Sequence, residues 1–322
     1  MQDNLFLSII IPFYKVELSL LDRCLSSITE QLSDKQAWEV IVVDDASPES
    51  PAEVCRRHPL TRLVVQEHRG LGGARNNGMR QAQGTYVLFV DADDYLFDGT
   101  LNTLWKMLLT KQPDILRFGF QAVTGFSRKH VRQKPLAFKT FETGRQLMEA
   151  TNLYDSACFY AFRLNLATNH GIVFEENVFL EDSLFTVRLH HVARTVVVTS
   201  LKVYAYFQRP DSIVRLDEQP HQEELVSRHW DNLLALNNMM HSEPAESARG
   251  LRRKCRFYVI DYLRRLFQTE DVNTVMDDYL PSLRQRGLFP LPYQRAYGFK
   301  YNAFCLLMRS RVGMSLLSKL SK

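Results

Sequence analysis

The sequence is poor in cysteine, and its few cysteines follow no recognisable spacing. An odd, scattered set without a Cys-x-x-Cys pair indicates neither a disulfide framework nor a zinc site. Such usage is typical of a reducing compartment, so we expect a cytoplasmic protein. The cysteines are Cys24, Cys55, Cys158, Cys255 and Cys305.

Long apolar runs and a strong charge excess are also lacking. No run approaches the ~20 apolar residues that cross a bilayer, and the N-terminus lacks the basic start of a signal peptide. The net charge of +4 is too small to indicate nucleic-acid binding. With 322 residues, 45% of them hydrophobic, the chain has the composition of a soluble globular protein and room for two domains.

The first part of the chain alternates short apolar runs with helical patterns. Apolar residues at steps of three and four predict a helix from Leu18 to Leu32, and a glycine-rich loop over 68–73 precedes a second helix over 74–83. This alternation favours an α/β fold with a doubly wound, mostly parallel sheet flanked by helices. The predicted buried strands cover residues 5–11, 38–43, 63–65 and 86–90.

The pattern is weaker beyond residue 96. It predicts helices near 101–108, 143–152 and after 175–185, a strand at 114–120, a mobile loop over 125–139 and edge strands at 195–199 and 203–207. From about residue 218 the chain reads as helical to its end. We therefore predict a domain over 1–216, with halves 1–96 and 97–216, followed by a helical region over 217–322.

An acidic turn ends the strand at 86–90. Asp91 and Asp93 should point the same way, because side chains alternate along an extended segment. Their mutual repulsion favours a hard divalent cation between them, such as Mn²⁺ or Mg²⁺ bound to phosphate. A solvated, Asp-rich turn is the alternative.

Parallel strands bring their last residues to one edge of the sheet, where α/β proteins bind their ligands. There Tyr14 can cover the face of a base, and Asp44 or Asp45 can accept from a pyrimidine N–H or a ribose hydroxyl. Arg75, at a helix start, can contact a diphosphate, and Asp93 can hold a metal bridging its phosphates. The predicted ligand-binding residues are Pro12, Tyr14, Asp44, Asp45, Gly72, Arg75, Asp91, Ala92 and Asp93.

Neither common phosphate-binding motif is found at this edge. The first strand is not followed by Gly-x-Gly-x-x-Gly, and there is no Gly-Lys-Ser/Thr phosphate loop. Four other segments instead closely resemble the motifs of family 2 glycosyltransferases, in the family's order and over about the first third of the chain. They are Ser8-Ile9-Ile10-Ile11-Pro12-Phe13-Tyr14, Val42-Val43-Asp44-Asp45-Ala46-Ser47, Gly72-Gly73-Ala74-Arg75-Asn76-Asn77-Gly78 and Phe89-Val90-Asp91-Ala92-Asp93-Asp94.

The resemblance implies a GT-A fold and transfer of a sugar, with inversion, from a nucleotide diphosphate. It implies that Asp45 binds the base, Asp91 lies near the ribose, Arg75 lies beside the diphosphate, and Asp93 is the metal ligand of the Asp-x-Asp motif. Residues 1–96 would then form the nucleotide-binding half of the catalytic domain, and residues 97–216 the acceptor half.

A weaker resemblance continues over residues 171–174 and 181–182, and again over 204–213. It is to the acceptor half of bacterial family members, and it implies that Asp182 is the catalytic base. The sequence departs from the common pattern at Lys15, Ala46 and Gly73, of which Lys15 could alter contacts near the base. No Gln-x-x-Arg-Trp segment is present, which argues against a processive, membrane-embedded synthase.

Several roles stay open at this stage. Asp182 could cap its helix, with Glu181 as base instead; Asp44 could only hold its loop through backbone amides; and Tyr14 could be a core aromatic. One of two histidines could complete the metal site, although packed or solvated histidines are the commoner case; His68 is judged in the same way. The remaining residues with open roles are His190, His191, Arg209 and Ser212.

The expected activity is that of an inverting, metal-dependent glycosyltransferase of cell-surface glycan synthesis, using a nucleotide-diphosphate sugar and a glycan or lipid-linked acceptor. The basic tail over 295–322 could lie on an anionic membrane at the inner face, or pack on the catalytic domain or a dimer partner. The rival functions are a sugar-phosphate nucleotidyltransferase and a non-catalytic scaffold that only binds nucleotide.

Overall fold

The computed structural model describes residues 6–31, 38–127, 137–208, 219–293 and 298–321. The chain divides into two compact units. The sheet unit consists of Met1–Gly144 and Tyr154–Ser212, and the helical unit of Arg145–Leu153 and Ile213–Lys322. The domain boundary predicted after residue 216 falls outside the described residues and stays a prediction.

The described residues of the sheet unit include nine strands that form one sheet. Their order is β3-β2-β1-β4-β8-β6-β9-β5, and β7 also pairs with β9. The strands β3, β2, β1 and β4 run parallel, as do β6 and β9, whereas β8, β5 and β7 pair antiparallel with their neighbours. The strands are β1 Leu7–Phe13, β2 Trp38–Asp44, β3 Thr61–Val65, β4 Tyr86–Phe89, β5 Tyr95–Leu96, β6 Ile115–Val123, β7 Phe138–Phe141, β8 Tyr160–Arg163 and β9 Val196–Phe207.

Helices flank the sheet and build the helical unit. Those of the sheet unit are α1 Leu18–Thr29, α2 Ala52–Arg57, α3 Gly70–Gln81, α4 Thr100–Lys111, α6 Leu164–Asn169 and α7 Glu181–Val192, while α5, Gly144–Ala150, passes from one unit into the other. Those of the helical unit are α8 Gln219–Ser242, α9 Arg249–Thr269, α10 Val272–Thr274, α11 Leu280–Gln285, α12 Phe299–Leu307 and α13 Arg311–Ser321. None of the described helices combines the length and the apolar character needed to cross a bilayer.

The adjacent parallel strands β1 and β4 are buried on both faces, as their apolar sequences predict, whereas β3 at the end of the strand order is half-buried. Every residue of β1 and β4 is buried. The chain leaves both strands at the same edge, where the backbone N–H of Asp45 donates to the carbonyl of Phe13 and that of Val90 to the carbonyl of Ile10. The residues that follow β1, β2 and β4 therefore meet at this edge.

Two sequence predictions about local structure are wrong. The glycine-rich stretch expected to be a loop forms the first turn of α3, which begins at Gly70. Its glycines are needed for close packing, because a Cβ on Gly72 would lie 2.1 Å from the carbonyl oxygen of Glu175, and one on Gly78 would lie 2.3 Å from Ile10 Cγ2. Tight packing against other segments thus outweighs the low helix propensity of glycine.

The second correction concerns the expected edge strands. They are one strand, β9, which lies inside the sheet between β6 and β5. The exposed Ser200 and Lys202 interrupt the apolar pattern of β9, so the sequence pattern predicts two short strands instead of one. The short strands β5 and β8 were not predicted, and β7 overlaps the end of the expected loop.

Candidate active site

Asp45, directly after β2, is buried and held in one orientation. Its Oδ1 accepts hydrogen bonds from Gln66 Nε2 at 2.7 Å and from the backbone N–H of Arg69 at 2.8 Å. Its Oδ2 lies 2.8 Å from His68 Nδ1, but it has no well-oriented hydrogen-bond donor among the described residues. One carboxylate oxygen is thus fixed by two hydrogen bonds and the other lies beside His68, and a contact of Asp45 with a nucleotide base stays a prediction.

Asp44 and Tyr14 have different roles beside it. Oδ1 of Asp44 accepts from the backbone N–H of Ser47 at 2.9 Å, so the loop-holding role left open for Asp44 is observed. Tyr14 is 36% exposed and stacks on His68 with ring centroids 4.3 Å apart, so the alternative that it is a core residue is wrong. Lys15 Nζ lies 4.9 Å from the centroid of the Tyr14 ring. An exposed aromatic face therefore lies close to the carboxylate of Asp45.

Asp94, the last carboxylate of the acidic turn, points into the protein. Its Oδ2 accepts from the hydroxyl of Tyr204 at 2.6 Å and its Oδ1 from the backbone N–H of Phe207 at 2.7 Å. Burial raises the pKa of Asp94 well above its ordinary value, and the neighbouring Asp93 and Asp91 carboxylates raise it further. Asp94 therefore ties the acidic turn to the end of β9.

Asp91 and Asp93 are half-buried on the same turn. Within the described ranges, no three His, Cys, Asp or Glu side chains are gathered to hold a metal ion by themselves. The chemistry of the turn nevertheless fits Mn²⁺ or Mg²⁺, since both prefer oxygen ligands and commonly complete their coordination with phosphate and water. Arg23 fixes the turn from the other side, with Nη2 donating to the carbonyl oxygen of Asp93 at 2.5 Å.

His190 cannot complete such a metal site. Its Nε2 lies 3.0 Å from Arg117 Nη1, and its Nδ1 lies 2.7 Å from the carbonyl oxygen of Thr186. Both ring nitrogens are therefore engaged inside the protein. His191 is also buried, whereas Arg209 and Ser212 lie outside the described residues.

Arg75 is in the second turn of α3, so the prediction that it stands at a helix start, assisted by the terminal amides, is wrong. Its side chain is 2% exposed. Nη1 lies 2.5 Å from Glu181 Oε1 and Nη2 lies 2.9 Å from Asp91 Oδ1. Burial alone would lower the pKa of this guanidinium, but the two carboxylates outweigh burial and raise it. A contact of Arg75 with a diphosphate stays a prediction.

Asp182 and Glu181 form the first turn of α7. Glu181 is buried against Arg75, whereas Asp182 is half-buried and its carboxylate accepts no hydrogen bond from the described residues. Burial raises the pKa of Asp182 well above its ordinary value; Glu181, Asp155 and Asp91 add to this effect, and Arg75 opposes it. Leu180 is the N-cap residue, so Asp182 does not occupy the capping position. Of the two acids, Glu181 is paired with Arg75, and the role of Asp182 as the catalytic base stays a prediction.

The other predicted contact residues lie at the same edge but are buried. Pro12 is inside β1 and Ala92 inside the acidic turn. The missing Cβ of Gly72 gives room to the chain's own backbone at Glu175, and any ligand contact of these three residues stays a prediction. Asn76 holds the same backbone, with Nδ2 donating to the carbonyl of Phe174 at 3.0 Å and Oδ1 accepting from its N–H at 2.9 Å.

Sequence reasoning missed three residues that shape this site. They are Arg23, Asp155 and Tyr204, each of which is distant in sequence from the side chains it affects. Tyr204 lies in the segment 204–213 to which the weaker resemblance extends, whereas Arg23 and Asp155 carry no local signal.

Comparison with known proteins assigns the chain to a class. Residues 8–168 match the family model described as Glycosyl transferase family 2. The uncharacterized glycosyltransferase EpsJ of Bacillus subtilis (strain 168) is 30% identical over 242 residues, which cover 72% of this chain and 69% of EpsJ. The chain therefore belongs to glycosyl transferase family 2, as its four motifs predict.

Individual relatives and solved structures add detail. The poly(ribitol-phosphate) beta-N-acetylglucosaminyltransferase TarS of Staphylococcus aureus (strain MW2) is 31% identical over 205 residues, covering 62% of this chain but only 35% of TarS. The crystal structure of TarS 1–349 with UDP-GlcNAc matches 98% of this chain and 91% of that chain, with a TM-score of 0.64 at 20% identity. A mannosyltransferase from Pyrobaculum calidifontis, PcManGT, solved with GDP-Man and Mn²⁺, matches 98% of this chain and 87% of its own with a TM-score of 0.53. These likenesses confirm the predicted GT-A fold followed by a helical C-terminal region.

Proposed function

We propose that this glycosyltransferase moves a sugar, with inversion, from a UDP-sugar to a glycan or lipid-linked acceptor of cell-surface polysaccharide synthesis. The observation that carries the proposal is that Asp182, half-buried and not hydrogen-bonded by the described residues, belongs to the same carboxylate cluster as the acidic turn. The choice of UDP is supported by the UDP-GlcNAc complex of TarS. The cell-surface role is supported by the similarity to TarS, a poly(ribitol-phosphate) beta-N-acetylglucosaminyltransferase.

In the proposed reaction, Asp182 accepts the proton of an acceptor hydroxyl. The hydroxyl oxygen forms a bond to the anomeric carbon as the bond from that carbon to the diphosphate oxygen breaks. The electron pair leaves with the diphosphate, so the negative charge that Asp182 loses on protonation appears on the leaving group. A raised pKa suits Asp182 to this role, because a base works best when its pKa approaches the working pH. General-base catalysis of this kind typically contributes ~10²–10⁴-fold.

The donor would be held at the other end of the site. Asp45 would accept from the base, beside the exposed ring of Tyr14. Asp93 would hold a divalent metal, which when bound would offset the growing charge of the diphosphate. Because the metal would take the place of an acid, no second carboxylic acid is needed, in contrast to a glycosidase with its flanking carboxyl pair.

A donor screen tests the proposal. UDP-, GDP- and dTDP-sugars are incubated with the protein, with and without Mn²⁺, and free nucleoside diphosphate is measured, while titration calorimetry follows UDP binding. We expect metal-dependent release of UDP from at least one UDP-sugar. Pyrophosphate release from UTP and a sugar phosphate would instead indicate a nucleotidyltransferase, and UDP binding without turnover of any donor would indicate the scaffold.

We also propose that the C-terminal end of the helical unit contacts an anionic membrane surface. No Asp or Glu follows Asp278, whereas the last 44 residues contain eight Lys and Arg. The helices α12 and α13 leave apolar side chains in water, including Phe299 (87% exposed), Val312 (82%) and Leu320 (73%). Apolar stripes beside positive charge are what an anionic lipid surface attracts.

Vesicle sedimentation tests the membrane contact. The protein should sediment with phosphatidylglycerol vesicles but not with phosphatidylcholine vesicles, and salt should release it. The variant Val312→Ser/Leu316→Ser/Leu320→Ser should bind at least about tenfold more weakly, because buried methylene groups are lost. The control Val65→Ser/Leu109→Ser, which changes exposed apolar residues of the sheet unit, should bind normally. If the triple variant changes the oligomeric mass and the parent never sediments, the stripe is a dimer interface and the membrane proposal is wrong.

A further inference from the structure

Arg75 joins two segments that are far apart in the sequence. Its guanidinium lies between Asp91, in the acidic turn after β4, and Glu181, at the start of α7, which is 106 positions away along the chain. The rings of Phe89 and Phe174 enclose it, at 5.8 and 5.5 Å from the guanidinium carbon to the ring centroids. The same side chain therefore contacts both the turn expected to face the donor and the helix that carries Asp182.

The burial of Arg75 argues against a direct role in ligand binding. Both terminal nitrogens already face carboxylates, and 2% exposure leaves little of the side chain accessible to a diphosphate. A buried guanidinium needs such partners, because an unpaired buried charge is strongly destabilising. Fork-shaped donors also fix the angle as well as the distance between the groups that they join.

We propose that Arg75 is a positioning residue of the transfer reaction, which holds the acidic turn and the base-bearing helix at a fixed separation. The inference rests on the proposed function, because it takes Asp182 as the base. In an inverting transfer the acceptor oxygen must approach the anomeric carbon from the side opposite the diphosphate. The base must therefore keep a fixed distance and orientation relative to the donor site. A misplacement of ~1 Å in such a geometry can cost ~10²-fold in rate.

The pKa of Asp182 provides a second, measurable consequence of the position of Arg75. The groups that act on its carboxylate are Glu181, Asp155 and Asp91, which raise its pKa, and Arg75, which lowers it. Tyr160 also lies within electrostatic range. Removing Arg75 should therefore raise the pKa of Asp182, whereas neutralising Glu181 should lower it.

The test compares Arg75→Gln, Arg75→Lys and Glu181→Gln in the full chain. The control is Arg56→Gln, which removes an exposed ion pair with Glu53. The measurements are UDP affinity with Mn²⁺, the melting temperature, and kcat, KM and their pH profiles with the UDP-sugar that the donor screen selects. We expect Arg75→Gln to lower kcat by ~10²-fold and to change the UDP Kd by less than about threefold. Arg75→Lys should recover part of kcat, and Arg56→Gln should match the parent.

The pH profiles separate positioning from a general loss of structure. The acid limb of kcat should move to higher pH in Arg75→Gln and to lower pH in Glu181→Gln, a pair of opposite shifts that loosened packing would not produce. If Arg75→Gln fails to fold, the inference is tested with Glu181→Gln. This variant should have a lower kcat, an unchanged UDP Kd and an acid limb of kcat that lies at lower pH than in the parent. A UDP Kd that rises tenfold in Arg75→Gln while uridine binding stays constant would assign Arg75 to the diphosphate and overturn the inference. Unchanged kcat in both variants, with Asp182→Asn inactive, would overturn it and leave the proposed function standing.

Discussion

The donor side and the acceptor side of this site are built by different means. On the proposed donor side, Asp45 and Asp94 are each fixed by two hydrogen bonds, of which one each comes from a backbone N–H, that of Arg69 or of Phe207. On the acceptor side, Asp182 stands at the start of a helix, and its carboxylate accepts no hydrogen bond from the described residues. Among the described residues, the carboxylates of the proposed donor side are thus held by hydrogen bonds, whereas Asp182 is oriented by its helix and its neighbouring charges. Substitutions on the two sides should separate affinity from rate.

The largest effect should follow from removing the base. Asp182→Asn keeps the size of the side chain but cannot accept the acceptor's proton, so kcat should fall by ~10²–10⁴-fold. The UDP Kd should stay within about threefold of the parent, since no donor-side contact changes. Steady-state kinetics and calorimetry check both values, and Asp22→Asn, in a partly exposed ion pair with Arg57, is a control of the same chemical type. Transfer at an unchanged rate would show that the base lies elsewhere.

On the donor side, Asp93→Ala should remove the metal-dependent part of UDP binding. The alanine side chain offers no oxygen ligand, while the carbonyl of residue 93 can still accept from Arg23, so the turn should remain folded. Calorimetry with UDP, in Mn²⁺ and in EDTA, should give a difference for the parent and none for the variant. A persisting Mn²⁺ effect would move the metal site away from Asp93.

Asp94→Ala should lower the free energy of unfolding, whereas Asp93→Ala should lower metal-dependent UDP binding. The substitution leaves the Tyr204 hydroxyl and the Phe207 N–H without their acceptor, and two buried hydrogen bonds to a carboxylate correspond to about 3 kcal/mol. Denaturant unfolding of the two variants side by side measures the difference. If Asp93→Ala were the less stable of the two, the assignment of structural and functional carboxylates in this turn would be reversed.

The contrast between the sides also explains what the sequence could predict. Strands β1, β2 and β4, and the carboxylates at the ends of β2 and β4, are predicted correctly because apolar runs and strand ends are local signals. Arg75 is predicted at a helix start beside a diphosphate but lies in the second turn of α3 against Glu181, a partner 106 positions away that no local pattern contains. The helical glycines of α3 were misread for the same reason, since Gly72 is explained by a contact with Glu175 that no short pattern contains.

The pH dependence of the parent enzyme is a smaller effect that reports on the acceptor side. At low pH Asp182 is protonated and cannot act as base, so kcat should rise with pH by about tenfold per unit along the acid limb. Since burial raises its pKa, that limb should lie above the ordinary Asp value of about 3.9. A pH profile of kcat at saturating donor checks this, and the limb should be absent in Asp182→Asn. An acid limb at the ordinary value or below would mean that a solvated carboxylate is the base.

The smallest expected effect tests the stacking surface of the donor side. Tyr14→Ala should weaken UDP binding by about threefold to tenfold, because an aromatic stacking contact is worth ~0.5–1.5 kcal/mol. Loss of the ring also frees His68, whose Nδ1 lies 2.8 Å from Asp45 Oδ2, so part of the effect can come from a less ordered carboxylate. Tyr14→Phe should bind UDP normally, and so should Tyr154→Ala, which removes an exposed ring from the acceptor side. If Tyr154→Ala weakened UDP binding as much as Tyr14→Ala, the division of the site into a binding side and a reacting side would not hold.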